Sequence, residues 1–146
     1  MTYGPGSWPS HLQEIINEFI EIDEAMEKIE LLFDFASEID ELSVEEWSDE
    51  TRVHGCQSEA HVKPMQNSDG TFHLKGAADA KLVQGLIAIT AIALEGLDPE
   101  TVASFPPDYA KEMGLMHSLT PSRANGFRNM FQKVIDSAKE MVSKNE

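Results

Sequence analysis

The sequence predicts an α+β domain in which a small three-stranded antiparallel sheet packs against several helices. Three observations lead there. Ala60 and Val62, then Phe72 and Leu74, alternate with polar neighbours on either side of Asn67-Ser68-Asp69-Gly70, the turn chemistry of a hairpin. Runs with helical spacing of apolar residues bracket that hairpin. No alternation of strands with crossover helices appears, so a parallel sheet is not expected. A chain of 146 residues suits one domain with a modest core. Residues 1–9 read as a flexible tail and 10–146 as the single domain.

The elements follow in order. Ser10-His11-Leu12-Gln13 has the form of a capping box, and Leu12, Ile15, Ile16 and Phe19 then recur at helical spacing. A second helix is expected from near Asp23, with Met26, Ile29, Leu32, Phe33, Ala36 and Ile39 on one face. Both helices are amphipathic and need a surface to pack against. From Arg52 the period changes to that of strands. The Arg52–Cys56 approach supplies the third strand, which leaves Cys56 in the loop before the hairpin. Asp79 reads as the cap of a helix through Leu82, Val83, Leu86, Ile87, Ile89, Ile92 and Leu94, apolar nearly all round and therefore central. Gly96 ends it. Asp98-Pro99 restarts a short helix, broken by Pro106-Pro107. Thr120-Pro121 opens a long last helix with the stripe Ala124, Phe127, Met130, Phe131, Val134, Ile135, Ala138 and Met141.

Charge narrows the function. The net charge is −15, and residues 14–50 hold 15 acidic residues against one basic residue, Lys28. Nucleic-acid binding needs a basic face and is not expected. The acidic run reads first as solvated helix faces, and second as a surface that steers a basic partner. No secretory signal is visible, and the apolar stretch from Leu82 to Leu97 is too short to span a bilayer. A lone cysteine without an export signal suggests the reducing cytoplasm and no membrane association.

That cysteine, Cys56, lies in Arg52-Val53-His54-Gly55-Cys56-Gln57-Ser58. One thiol closes no internal disulfide and holds no zinc or iron–sulfur group alone. It either packs as a small hydrophobe or reacts. Gly55 permits an exposed loop tip, and Arg52, His54, His61 and Lys63 are near enough in sequence to favour a thiolate. His54, Cys56 and His61 lack the spacing and the fourth ligand of a zinc site, and His11, His73 and His117 are scattered. A thiol hydrolase would need an acid to orient His54 or His61 as base, and the sequence identifies none.

The run Gly55-Cys56-Gln57-Ser58 resembles the cysteine loop of the SufE family, and two later blocks agree with it in order and spacing. Gly76-Ala77-Ala78-Asp79-Ala80-Lys81-Leu82-Val83-Gln84-Gly85-Leu86 is one. Leu119-Thr120-Pro121-Ser122-Arg123-Ala124-Asn125-Gly126-Phe127 is the other. The likeness runs from about Met26 to the C-terminus. It departs at His61, where the family usually has tryptophan, and at His54.

The resemblance implies the fold shared with scaffold proteins of the IscU type. It also implies a sulfur acceptor: Cys56 would take persulfide sulfur from a SufS-type cysteine desulfurase, stimulate that enzyme and pass the sulfur to an iron–sulfur scaffold complex. The protein would then carry sulfur rather than act as a stand-alone enzyme, with no cofactor of its own and pyridoxal phosphate in the partner. Gly55, Gln57 and Ser58 would shape the loop, the latter two by side-chain to backbone hydrogen bonds. Asp79 and Arg123 match family positions and would support Cys56; for each, a helix cap or a structural ion pair competes with that role. The alternatives are a regulatory adaptor that carries no sulfur and, against the cysteine count, a metal-holding scaffold.

Overall fold

The computed structural model describes residues 3–145 and is built around one helix. That helix, α3 (Lys81–Leu94), buries side chains around nearly its whole circumference, as its composition requires. α1 (Ser10–Ile20) and α2 (Ala25–Ala36) precede it in the chain, and α2 lies along it. The two backbones approach closely at Gly85, where a Cβ would come 2.3 Å from the Leu32 carbonyl oxygen.

The hairpin is β1 (Ala60–Gln66) and β2 (Phe72–Ala78), antiparallel from Ala60 opposite Ala78 to Gln66 opposite Phe72. Val62, Phe72 and Leu74 alternate inward against α3. Among the described residues the sheet has two strands, not the three expected. Arg52 makes only an isolated antiparallel bridge to His61, and Glu41 a parallel bridge to Gly76 on the opposite edge. The approach to Cys56 stops pairing after Val53 because Gly55, at φ +79, turns the chain away onto the last helix.

After α3, Gly96 takes φ +77 and ends the helix as expected. α4 (Pro99–Ala103) starts at Asp98-Pro99, and α5 (Asp108–Glu112) follows the two prolines, where no helix was expected. α6 (Pro121–Asn145) then packs on α4 and β1. It buries the expected stripe from Ala124 to Ala138, with Met141 half-buried at its end. Its first turn is capped by Thr120, whose Oγ1 accepts from the Arg123 N–H at 3.3 Å.

Three local expectations are corrected. No capping box forms at Ser10, because Pro9 is the N-cap and Ser10 is already helical. On α2 it is Phe35, not Phe33, that turns inward, stacking on Phe19 at 6.2 Å between centroids, while Met26 is exposed. The first residues are docked rather than loose: Trp8 is buried and its Nε1–H donates to Glu112 Oε2 at 2.7 Å, and Tyr3 packs on Phe105. Met1 and Thr2 of that expected tail lie outside the described residues.

Most acidic side chains of residues 14–50 are exposed. Lys28 is turned inward, its Nζ donating to the carbonyls of Phe19 at 2.7 Å and Met113 at 3.0 Å. Among the described residues no helix is long and apolar enough to cross a membrane.

Candidate functional site

The loop that carries Cys56 is closed at its neck by backbone hydrogen bonds. The Val53 N–H donates to the Ala60 carbonyl at 2.8 Å, and the Val62 N–H to the Thr51 carbonyl at 2.8 Å. Asp79 secures the far side. Its Oδ1 accepts from the Glu59 N–H at 3.1 Å, and its own N–H donates to the Glu59 carbonyl at 3.0 Å. Asp79 is therefore not the cap of α3, a position held by Ala80. Its carboxylate satisfies a loop donor instead.

Between those anchors the chain lies on α6. Gly55 and Cys56 rest against Asn129 and Gly126, one helical turn apart on α6. A Cβ on Gly55 would meet Asn129 Nδ2 at 2.4 Å, and a Cβ on Gly126 would meet Cys56 Sγ at 2.9 Å. Cys56 is thus half-buried with its thiol turned inward, whereas Gly55 at the tip is exposed. Beneath it is a niche of about 10 Å³ lined by Val83, Leu86 and Ile87 of α3 and by Arg123, Gly126, Phe127 and Met130 of α6. That is close to the space one small atom needs. The walls are apolar apart from Arg123.

The cations adjacent in sequence are not the cations adjacent in space. Arg52 and His54 line a separate outer groove of about 830 Å³ with Asn129, Lys133 and Asp136, and His54 Nε2 lies 3.9 Å from Asp49. Lys63 is exposed. His61 is turned away from the thiol and buried, 2% exposed, between Thr51 and Glu59. So His61 does have an acidic partner, Glu59, contrary to the reading of the sequence, but its other nitrogen faces Thr51 and not Cys56. A cysteine–histidine hydrolase pair is not formed. Among the described residues Arg123 is the one basic residue lining the niche. Among the described residues it makes no ion pair with Asp79 or any other acid.

Gln57 is exposed and Ser58 half-buried, and among the described residues neither side chain makes a hydrogen bond. The loop's shape comes from Gly55, the neck and Asp79, so the expected roles of Gln57 and Ser58 are corrected. Among the described residues no group of three or more His, Cys, Asp or Glu side chains is arranged to hold a metal.

Gly126 stands in the third motif block, but neither its contact with Cys56 nor Asn129 was expected from the sequence. The available signal was Gly126 itself, a glycine inside a strongly helical pattern, which usually marks a close approach.

The chemistry open to this site is that of a single thiol: nucleophilic attack once its loop lifts, and shelter of a sulfur group while it is seated. Comparison with known proteins agrees with the resemblance found in the motifs. Residues 13–138 match the SufE family, described as a domain associated with Fe–S metabolism. The chain is 33% identical over 124 residues to an uncharacterized SufE-like protein of Synechocystis sp., covering 85% of this chain and 77% of that protein. The solution structure of a hypothetical protein from Thermus thermophilus superposes with a TM-score of 0.77 at 21% identity, covering 93% of this chain and 98% of that one, and so shares the fold. With a matching core, motifs and sequence, the chain belongs to the SufE family.

Proposed function

We propose that the protein is a sulfur acceptor for a cysteine desulfurase of the SufS type and feeds iron–sulfur cluster assembly in the cytoplasm. The observation that carries this reading is the placement of Cys56. The chain's one thiol sits on a glycine-tipped loop, seated over an apolar niche of about 10 Å³. A loop of this kind can deliver the thiol to a partner's active site and then return a sulfur-bearing side chain to a dry recess.

The transfer is a thiol–persulfide exchange. The Cys56 thiolate attacks the outer sulfur of the partner's cysteine persulfide, a new S–S bond forms on Cys56, and the partner's cysteine leaves as thiolate. No net oxidation occurs. A second exchange, with an acceptor thiol on the scaffold complex, regenerates Cys56. Clearing the desulfurase cysteine in this way would raise its turnover. Pyridoxal phosphate belongs to the partner, where it releases sulfur from free cysteine.

Within this protein Gly126 and Gly55 seat the loop, Asp79 holds its end, and Arg123, on the niche wall, offers a cation to an anionic sulfur. Intact-mass measurement after incubation with desulfurase, pyridoxal phosphate and cysteine tests the reading. One added sulfur, removed by reductant and absent from Cys56→Ser, is expected. Desulfurase stimulation that survives Cys56→Ser, without added mass on the wild type, would replace it with the adaptor reading.

A further inference from the structure

His61 is a buried polar residue that the sulfur chemistry does not use. Its ring is stacked on Trp47, 4.6 Å between centroids and 22° from parallel, and both ring nitrogens are engaged. Nε2 lies 2.9 Å from Glu59 Oε2, and Nδ1 lies 2.7 Å from Thr51 Oγ1. A carboxylate only accepts, so Nε2 carries the proton, and in the neutral ring Nδ1 at 2.7 Å shares the one Thr51 hydroxyl proton with the Ser48 carbonyl at 3.1 Å.

Thr51 and Glu59 are the residues on the two sides of the Cys56 loop. Thr51 precedes it and is fixed in turn to Ser48, whose N–H donates to Thr51 Oγ1 at 3.1 Å. Glu59 follows it and is fixed through its backbone to Asp79. The imidazole therefore spans the neck of the loop, side chain to side chain, beside the backbone pairing of Val53 with Ala60. Opening the loop far enough to present Cys56 pulls on this crosslink.

We propose that His61 is a positioning residue for Cys56: by holding Thr51 and Glu59 together it keeps the loop neck closed and the thiol seated on Gly126. As far as delivery to a partner is concerned, this deepens the sulfur-acceptor reading and rests on it. The seating itself does not. The ring acts through the loop and never touches the reacting sulfur.

The test is the rate at which iodoacetamide alkylates Cys56 in the isolated protein. His61→Phe keeps the stack on Trp47 and deletes both hydrogen bonds. Each bond of this kind restrains the loop by roughly a factor of five, so with both removed alkylation should rise roughly 25-fold. Thr51→Val removes only the hydroxyl, serves if His61→Phe fails to fold, and should give a rise of about fivefold. His73→Gln, which disrupts a different histidine, held by two acids and outside the loop, should leave the rate unchanged. The double variant His61→Phe/Thr51→Val should react no faster than His61→Phe. Unchanged alkylation in both neck variants, an equal rise in His73→Gln, or additive effects in the double variant would overturn the proposal. No desulfurase takes part, so the result stands whatever the sulfur-loading experiment gives.

Discussion

Replacing Gly126 by alanine tests how Cys56 is held. The new Cβ would lie 2.9 Å from Cys56 Sγ, 3.4 Å from its Cβ and 3.5 Å from its Cα. Ordinary carbon contacts are about 3.5–4.0 Å. The 3.4 and 3.5 Å separations are ordinary contacts, so the clash falls on Sγ, and the cysteine side chain must rotate off Gly126 or the loop must rise by a few tenths of an ångström. Overpacking of this size costs about 1–3 kcal/mol, and it falls on the seated conformer alone. At about 1.4 kcal/mol per tenfold, the ratio of seated to lifted loop should fall roughly 5- to 100-fold. The helix itself gains about 1 kcal/mol from glycine to alanine in its interior, which offsets much of the global cost. Gly126→Ala should therefore melt within a few degrees of wild type while iodoacetamide modifies Cys56 at least fivefold faster. A variant that melts normally and alkylates at the wild-type rate would show that the thiol does not rest on Gly126.

Two further outcomes follow from the scaffold. His73 on β2 joins Asp40 Oδ2 at 2.6 Å and the Glu95 carboxylate, and these partners, Asp40 first, raise its pKa above the ordinary 6.5. The folded state then holds the proton more tightly than the unfolded one. The resulting stability is complete below about pH 6.5 and is lost as pH rises through the folded value. Denaturant titrations from pH 5 to 9 should show that decline in the wild type and less of it in His73→Gln; parallel profiles would refute the linkage. Lys28→Met keeps most of the apolar stem but strips the donor shared by the Phe19 and Met113 carbonyls. Thermal melting should report a loss of about 2–3 kcal/mol, several degrees in a chain of this size. A shift under about one degree would mean that water replaces the ammonium at no cost.

How much of this was legible in the residues depends on the range of the force involved. The central helix followed from Leu82 to Leu94 because an apolar circumference has only one stable place to go. The hairpin followed from Asn67-Ser68-Asp69-Gly70 between alternating runs, since turn chemistry and period are local. The long last helix and its stripe followed from Thr120-Pro121 and the spacing after it. Cys56, Asp79 and Arg123 were singled out through their motifs, and all three border one loop or its niche.

The sequence alone determined the hairpin, the central and last helices, the chain's single thiol and the three motif blocks, because propensity, period and residue identity are properties of neighbours along the chain. Tertiary structure alone decided the rest. The third strand was reduced to a bridge at Arg52 because the chain had to turn onto α6 at Gly55. Asp79 became a loop anchor instead of a helix cap because the Glu59 N–H reached it from a distant part of the chain. The thiol was seated inward, with Arg123 rather than Arg52, His54 or His61 on its niche, because α6 crosses the loop at a glycine. Each is a contact between residues far apart in sequence, fixed by the packing of helices on a sheet and carried by no local pattern.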